Sequence, residues 1–124
     1  MRRYALARSI RPWAVSSRPT ARRTWLLSDG LVLRYDTQTS VDGLDPGEGT
    51  FLVCSFWLAD VYVLLGRQAD ANALFERLAG LCNDVGLLAE QYDPRSQRML
   101  GNFPQAFSHL GIINTALNLH RSWC

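Results

Sequence analysis

Two long apolar segments and one amphipathic segment dominate the pattern of hydrophobic and polar positions. Residues 51–65 carry only two clearly polar side chains, Ser55 and Asp60, so the helix predicted there is expected to be buried on nearly all sides. Residues 68–82 differ, because apolar positions recur at helical spacing opposite a polar face. They predict an amphipathic surface helix with a buried stripe formed by Ala71, Leu74, Leu78 and Leu81.

A third helix is predicted from Pro104 onward, since proline suits the first turn of a helix. Apolar residues recur along this segment, so it too is expected to be largely buried. The order of buried, surface and buried helices fits a plain three-helix bundle as well as an α/α barrel of paired helices. The predicted buried stripe comprises Ala106, Leu110, Ile113 and Leu117, extended by Phe107, Ile112 and Ala116.

Short connecting segments separate these helices. Residues 30–36 predict a strand or an extended loop. Residues 37–50 hold dense turn signals and end at Thr50, a plausible N-cap of the first helix. Gly66 is expected to end that helix, and Gly86 to follow the end of the second.

Charge divides the chain of 124 residues into two parts. Residues 1–24 contain seven arginines and no acid, a composition similar to a mitochondrial transit peptide or a nucleic-acid-binding arm. The favoured interpretation is a disordered or mis-started segment that does not dock on the helices. Residues 25–124 carry six arginines against eleven acids, a balance that repels phosphate, so no nucleic-acid partner is expected.

The cysteines and the longest apolar segment indicate in which compartment the protein is expected to work. Cys54, Cys82 and Cys124 show no metal-ligand spacing, so neither a metal site nor a cofactor is expected. Cysteines among apolar residues indicate a reducing compartment, most simply the cytoplasm. Residues 51–65 are shorter than the roughly 20 residues of a membrane-spanning helix, so no membrane association is expected.

Residues 87–109 carry the candidate chemistry. Glu90 ends a short apolar run before a turn predicted at residues 93–96, and Asn102-Phe103-Pro104-Gln105 then opens the third helix. A loop carboxylate ringed by Gln, Tyr, Asn and Phe is typical of a sugar-binding catalytic pocket. On its spacing alone, Glu90 is better interpreted as a solvated loop acid.

These motifs resemble a known family. Glu90-Gln91-Tyr92-Asp93 resembles the signature around the general base of family 15 glycoside hydrolases, which include glucoamylases and trehalases. Gly47-Glu48-Gly49-Thr50-Phe51-Leu52 and Cys54-Ser55-Phe56-Trp57-Leu58 are similar to the bacterial branch. The resemblance implies an all-α fold and makes residues 25–124 the last helices of an (α/α)6 toroid, with a short extended segment and a motif loop. Exposed apolar helices are then expected to cause self-association.

The same resemblance implies an inverting hydrolase of α-glucosidic bonds. Glu90 matches the general base, and Tyr92, Gln105 and Phe107 are implied substrate-binding residues. The family's general acid lies upstream, on a part of the barrel that this chain does not possess, so the chain alone is expected to be inactive. The substrate of the full-length enzyme would be an α-glucoside or trehalose. The bacterial character of residues 101–105 favours trehalose or short glucosides over starch.

Several residues keep two interpretations. Trp57, Phe103 and Phe107 could stack on a sugar, but aromatic residues in apolar helices are more often core. His109 is expected to be packed and hydrogen-bonded. Glu48 matches a different loop of the family and could instead be a helix N-terminal acid. The alternative functions are a helical interaction module without catalysis and a nucleic-acid binder acting through residues 1–24.

Overall fold

The computed structural model describes residues 26–35 and 49–122. This part of the chain forms three helices, α1 (Leu52–Leu64), α2 (Gln68–Ala79) and α3 (Ala106–Ser122). Two small antiparallel sheets lie beside them. One contains β1 (Leu27–Ser28) and β2 (Leu31–Val32), and the other contains β3 (Thr50–Phe51), β4 (Gln91–Asp93) and β5 (Arg98–Leu100).

The three predicted helices are confirmed, with different ends for two of them. α2 stops before Gly80 because the N–H groups of Leu81 and Cys82 bond three residues back, to Leu78 and Ala79, in tighter turns. The predicted end at Cys82 is therefore wrong. α3 begins at Ala106, after a cis peptide bond between Phe103 and Pro104, and so starts later than predicted.

The extended segment predicted at residues 30–36 begins slightly earlier, as a hairpin of β1 and β2. Asp29 and Gly30 both have positive φ, the geometry of a tight two-residue turn. The hairpin is attached to α1 by a hydrogen bond from the Val32 N–H to the Ser55 Oγ, 2.9 Å long. It is attached to α2 by Arg77, whose Nη2 lies 2.6 Å from Asp29 Oδ2. The β1–β2 hairpin therefore packs against both α1 and α2.

The hydrophobic core lies where α1, α2 and β2 meet. The stripe predicted on α2 is confirmed, because Ala71, Leu74 and Leu78 are buried and Leu81 packs against the core at partial exposure. Burying such side chains is the main driving force of folding, worth about 1.5–3 kcal/mol for each large one. The core consists of Leu31, Leu52, Phe56, Ala59, Leu74, Leu78 and Leu88.

Helix α1 is not buried on nearly all sides, and that prediction is wrong for this chain. Trp57 is 56% exposed and Leu64 is 82% exposed, and Val61 lies with them on one face. α2 and α3 pack on α1, but no described element covers the face formed by these three residues.

Helix α3 buries a different stripe from the predicted one. Of the predicted residues only Ile112 packs against the core; the other six are exposed. The buried positions are instead mostly small, because the Phe56 side chain of α1 approaches α3 closely at Gly111. A Cβ built on Gly111 would lie 2.9 Å from Phe56 Cδ2, closer than atoms can pack. The buried residues are Ser108, Gly111, Thr115 and Leu119.

The helix-end predictions have mixed outcomes. Gly66 ends α1 with φ +71°, as predicted. The N-cap predicted at Thr50 is wrong, because Thr50 belongs to β3 and its hydroxyl donates to the Tyr92 carbonyl, 2.8 Å away. Gly80 directly follows α2, and Gly86 instead closes a turn by donating to the Asn83 carbonyl.

Several sequence predictions fall outside the described residues. They concern residues 1–24, most of the loop at 37–50, Glu48 and Cys124. Among the described residues, no helix combines the length and apolar character needed to cross a membrane.

The exposed stripes lead to a first prediction. Because Leu110, Ile113 and Leu117 present apolar side chains to solvent, the chain is expected to bind a hydrophobic dye and to self-associate. Replacing all three with lysine, a good helix former, should lower dye fluorescence and shift the chain toward monomer with unchanged helical circular dichroism. Sedimentation velocity checks this. A wild-type chain that stays monomeric and dye-free at high concentration would contradict it.

Candidate active site

The motif loop is a β-hairpin. β4 pairs with β3 on one side and β5 on the other, so Gln91 lies opposite both Phe51 and Leu100. Asp93 closes the predicted turn by accepting the Ser96 hydroxyl at 2.6 Å and the Arg95 N–H at 2.9 Å. The Ser96 hydroxyl first, and then the backbone N–H groups, hold the Asp93 pKa below its usual value. The turn therefore gains stability above the ordinary carboxyl pKa and loses it as pH falls through the lowered one.

Glu90 lies directly before β4 and is fixed on both sides through its backbone. Its carbonyl accepts the N–H of Leu52, the first residue of α1, at 3.1 Å. Its N–H donates to the Asn102 carbonyl at 2.9 Å. Glu90 is half-buried at the junction of α1, the hairpin and the segment that leads into α3.

The Glu90 carboxylate is oriented by Asn102. Its Oε2 accepts the Asn102 backbone N–H at 3.2 Å and the side-chain Nδ2 at 2.8 Å. Gly101 makes this approach possible, since it has φ +74° and a Cβ there would lie 3.1 Å from Glu90 Oε2. Within the described part of the chain, both of these bonds go to Oε2 and Oε1 accepts no hydrogen bond.

Gln91 and Tyr92 follow Glu90 directly in the sequence, but their side chains have other partners than its carboxylate. The Gln91 Oε1 accepts the Gly49 N–H at 3.1 Å, which ties the hairpin to the start of β3. The Tyr92 ring packs against the hydrophobic core. Sequence reasoning therefore missed Asn102 as the partner of the carboxylate, although the amide-rich segment before α3 contained it.

The first turn of α3 is tied to the segment that ends at Glu90. The Gln105 N–H donates to the Leu88 carbonyl at 2.9 Å, and the buried Ser108 hydroxyl donates to the Ala89 carbonyl at 2.6 Å. His109 Nε2 accepts the Leu88 N–H at 3.3 Å, which confirms the prediction of a packed, hydrogen-bonded histidine. These contacts hold the N-terminus of α3 beside the candidate site.

The aromatic residues expected in the core are exposed. Trp57, Phe103 and Phe107 are each more than half exposed, so the core interpretation is wrong for all three. Phe103 directly follows Asn102, and Phe107 lies in the first turn of α3. Gln105 lies between them and uses its Oε1 to accept the Phe107 N–H. Two exposed aromatic rings and one side-chain amide therefore lie on residues 103–107, directly after the Asn102 that binds the Glu90 carboxylate.

Three other acids of the described segments have structural partners. Asp29 and Asp70 pair with Arg77 and Arg67, and Asp60 accepts the Asn118 amide at 3.1 Å. Glu90 differs in that one carboxylate oxygen accepts both the backbone N–H and the side-chain amide of a single residue, Asn102.

Metal-binding and thiol chemistry have little support in the described residues. No group of three or more His, Cys, Asp or Glu side chains there could hold a metal ion. Cys54 and Cys82 are free thiols, and burial raises the pKa of both. Nearby Arg34 partly offsets that rise at Cys54. Both side chains therefore favour the thiol form over the reactive thiolate.

Comparison with known proteins gives matches over most of the chain. Residues 18–117 match the family described as Glycosyl hydrolases family 15. The chain is 48% identical over 97 residues to a trehalase of Mycobacterium tuberculosis, which covers 78% of this chain and 14% of that protein. It is 39% identical over 98 residues to a trehalase of Thermoplasma acidophilum, covering 79% of this chain and 16% of that protein.

A trehalase of Sulfolobus acidocaldarius, named Trehalase 2, is 33% identical over 91 residues, or 73% of this chain and 15% of that protein. No solved structure matches the chain. The chain spans about one-seventh of the length of these relatives. From the family match and the relatives together, it follows that this chain belongs to Glycosyl hydrolases family 15.

Proposed function

We propose that this chain is part of a trehalase that cleaves its substrate with inversion, and that Glu90 is the general base. The supporting observation is the oriented carboxylate, in which Oε2 is held by Asn102 and Oε1 is left to meet a ligand. The names of the relatives support trehalose as the substrate over maltose or starch.

The proposed reaction uses two carboxyl groups on opposite sides of the anomeric carbon. In inverting enzymes they stand roughly 6.5–9.5 Å apart, which leaves room for a water molecule. Glu90 Oε1 takes a proton from that water, and the water oxygen bonds to C1 as the C1–O bond of trehalose breaks. A general acid, proposed to lie outside this chain, protonates the departing oxygen. One β-glucose and one α-glucose result.

Substrate contacts are proposed for three further residues. Phe107 offers an exposed ring for stacking on a glucose face. Gln105 has its Oε1 engaged, so its amide Nε2 is the group available to a sugar hydroxyl. Tyr92 packs its ring on the core and can offer only its phenolic hydroxyl.

The three helices are proposed to be the last helices of an (α/α)6 toroid. The exposed stripes of α1 and α3 support this, because neighbouring helices of a toroid would cover them. The same stripes would also suit a helical interaction module without catalytic activity, which is the alternative.

A chimera tests the proposal. The 97-residue segment of the M. tuberculosis trehalase that aligns with this chain is replaced by the aligned residues of this chain. The chimera should hydrolyse trehalose faster than maltose, and proton NMR should detect the α and β anomers of glucose in equal initial amounts. The 124-residue chain alone should hydrolyse neither sugar. Release of α-glucose alone would contradict inversion, and a folded but inactive chimera would favour the interaction module.

A further inference from the structure

We infer that Asn102 is a positioning residue that selects Oε1 of Glu90 as the proton-accepting oxygen. This inference rests on the proposed role of Glu90 as the general base. In this role Asn102 does not contact the substrate and acts only through the Glu90 carboxylate.

The geometry is a three-bond pairing between two residues. The Glu90 N–H donates to the Asn102 carbonyl, and the Asn102 N–H and Nδ2 both donate to Glu90 Oε2. The side-chain bond is the shorter of the two to Oε2, at 2.8 Å against 3.2 Å. Hydrogen bonds to a carboxylate are stronger than those between neutral groups, so the pairing resists rotation of the Glu90 side chain.

This pairing makes the two carboxylate oxygens different. Two donors occupy the lone pairs of Oε2, so Oε1 keeps the lone pairs that can take a proton from water. Without Nδ2, only the longer backbone bond would restrain the carboxylate. A misplacement of about 1 Å in a reacting group can cost about 10²-fold in rate.

The side chain of Asn102 can be removed without removing the backbone contacts. Asn102 is exposed, and its amide Nδ2 is bonded to Glu90. Asn102→Ala keeps the backbone bonds in both directions and deletes only the Nδ2 donor. Asn102→Asp keeps the side-chain volume but places an oxygen against Oε2. Asn102→Asp thus removes the donor at constant side-chain volume, whereas Asn102→Ala removes both the donor and the volume.

The chimera described above is the test system. Asn102→Ala should lower kcat for trehalose by about 10–100-fold with KM within about twofold, since it removes orientation and not binding. Asn102→Asp should be at least as slow. Asn114→Ala, at an exposed asparagine of α3, is the matched control and should leave the rate unchanged.

Two readouts separate positioning from a general folding defect. Azide needs no base, so it should restore turnover of Asn102→Ala and give β-glucosyl azide. In a Glu90→Gln background, Asn102→Ala should cause no further loss, because residues that act as one unit are not additive.

The outcomes distinguish this inference from the proposed function. If Glu90→Gln retains activity, the general-base proposal fails, and the role of Asn102 fails with it. If Glu90→Gln is inactive but both Asn102 variants are as fast as wild type, only the positioning inference is overturned. It is also overturned if Asn102→Ala is not restored by azide, or is equally harmful in the Glu90→Gln background.

Discussion

In the chimera, Glu90→Gln is expected to lower kcat for trehalose by about 10²–10⁴-fold, the usual contribution of a general base. The amide has nearly the shape of the carboxylate, but it cannot take a proton from the attacking water. KM should stay within about twofold, because the change removes an interaction of the transition state and not of substrate binding. Initial rates of glucose release measure both constants.

Glu76→Gln provides the matched control, since Glu76 is an exposed acid on α2. It should leave both constants unchanged. Azide should restore turnover of Glu90→Gln and yield β-glucosyl azide, because attack comes from the face opposite the α-linked leaving group. Activity of Glu90→Gln close to wild type would reduce Glu90 to a loop acid and end the site assignment.

The second large effect concerns stability. Phe56→Ala is expected to lower the free energy of unfolding by about 3–5 kcal/mol, the cost of emptying a buried aromatic site. Phe56 is fully buried. Its ring lies edge-on to the Phe75 ring, with the two ring centroids 6.5 Å apart, and Gly111 packs against the Phe56 side chain. The vacated volume would touch all three helices. Since small domains have only about 5–15 kcal/mol of stability, the variant should unfold at much lower urea concentration.

The neighbouring residue is the control for this prediction. Trp57→Ala removes a larger side chain from the same helix, but 56% of Trp57 is already exposed. It should cost about 1 kcal/mol or less, as substitutions near the surface usually do. Both variants are compared in the 124-residue chain at concentrations where it is monomeric. An equal loss for Trp57→Ala would mean that the exposed face of α1 is covered in solution.

Sequence patterns predicted the helices better than their buried faces. α2 has separate polar and apolar faces, so its periodicity alone identified Ala71, Leu74 and Leu78 as buried. α1 is apolar around most of its circumference, and α3 buries small polar residues while its large apolar ones are exposed, so periodicity could not tell which face a neighbour covers. The buried side of α3 was decided by size, because Gly111 leaves room for the Phe56 side chain of α1 where a larger residue would not.

The candidate site was predictable in part. The motif pointed to Glu90, and Asp93-Pro94-Arg95-Ser96 predicted the turn that brings the two arms of the hairpin together. The contact with Asn102 was not predictable, because it depends on the strand register and on the positive φ of Gly101. The sequence shows that several polar side chains lie near Glu90 in the chain, but it does not show which of them contacts the Glu90 carboxylate.

The small side chains between α1 and α3 impose an evolutionary constraint of an unusual kind. At positions 108, 111 and 115 the structure restricts volume, because a serine, a glycine and a threonine are buried there. Drift at these sites should therefore stay among small residues, and a hydroxyl is favoured at positions 108 and 115 because it donates to the Ala89 and Phe56 carbonyls. The outer positions of α3 have no such limit on size from α1, so they are free to change with whatever they face.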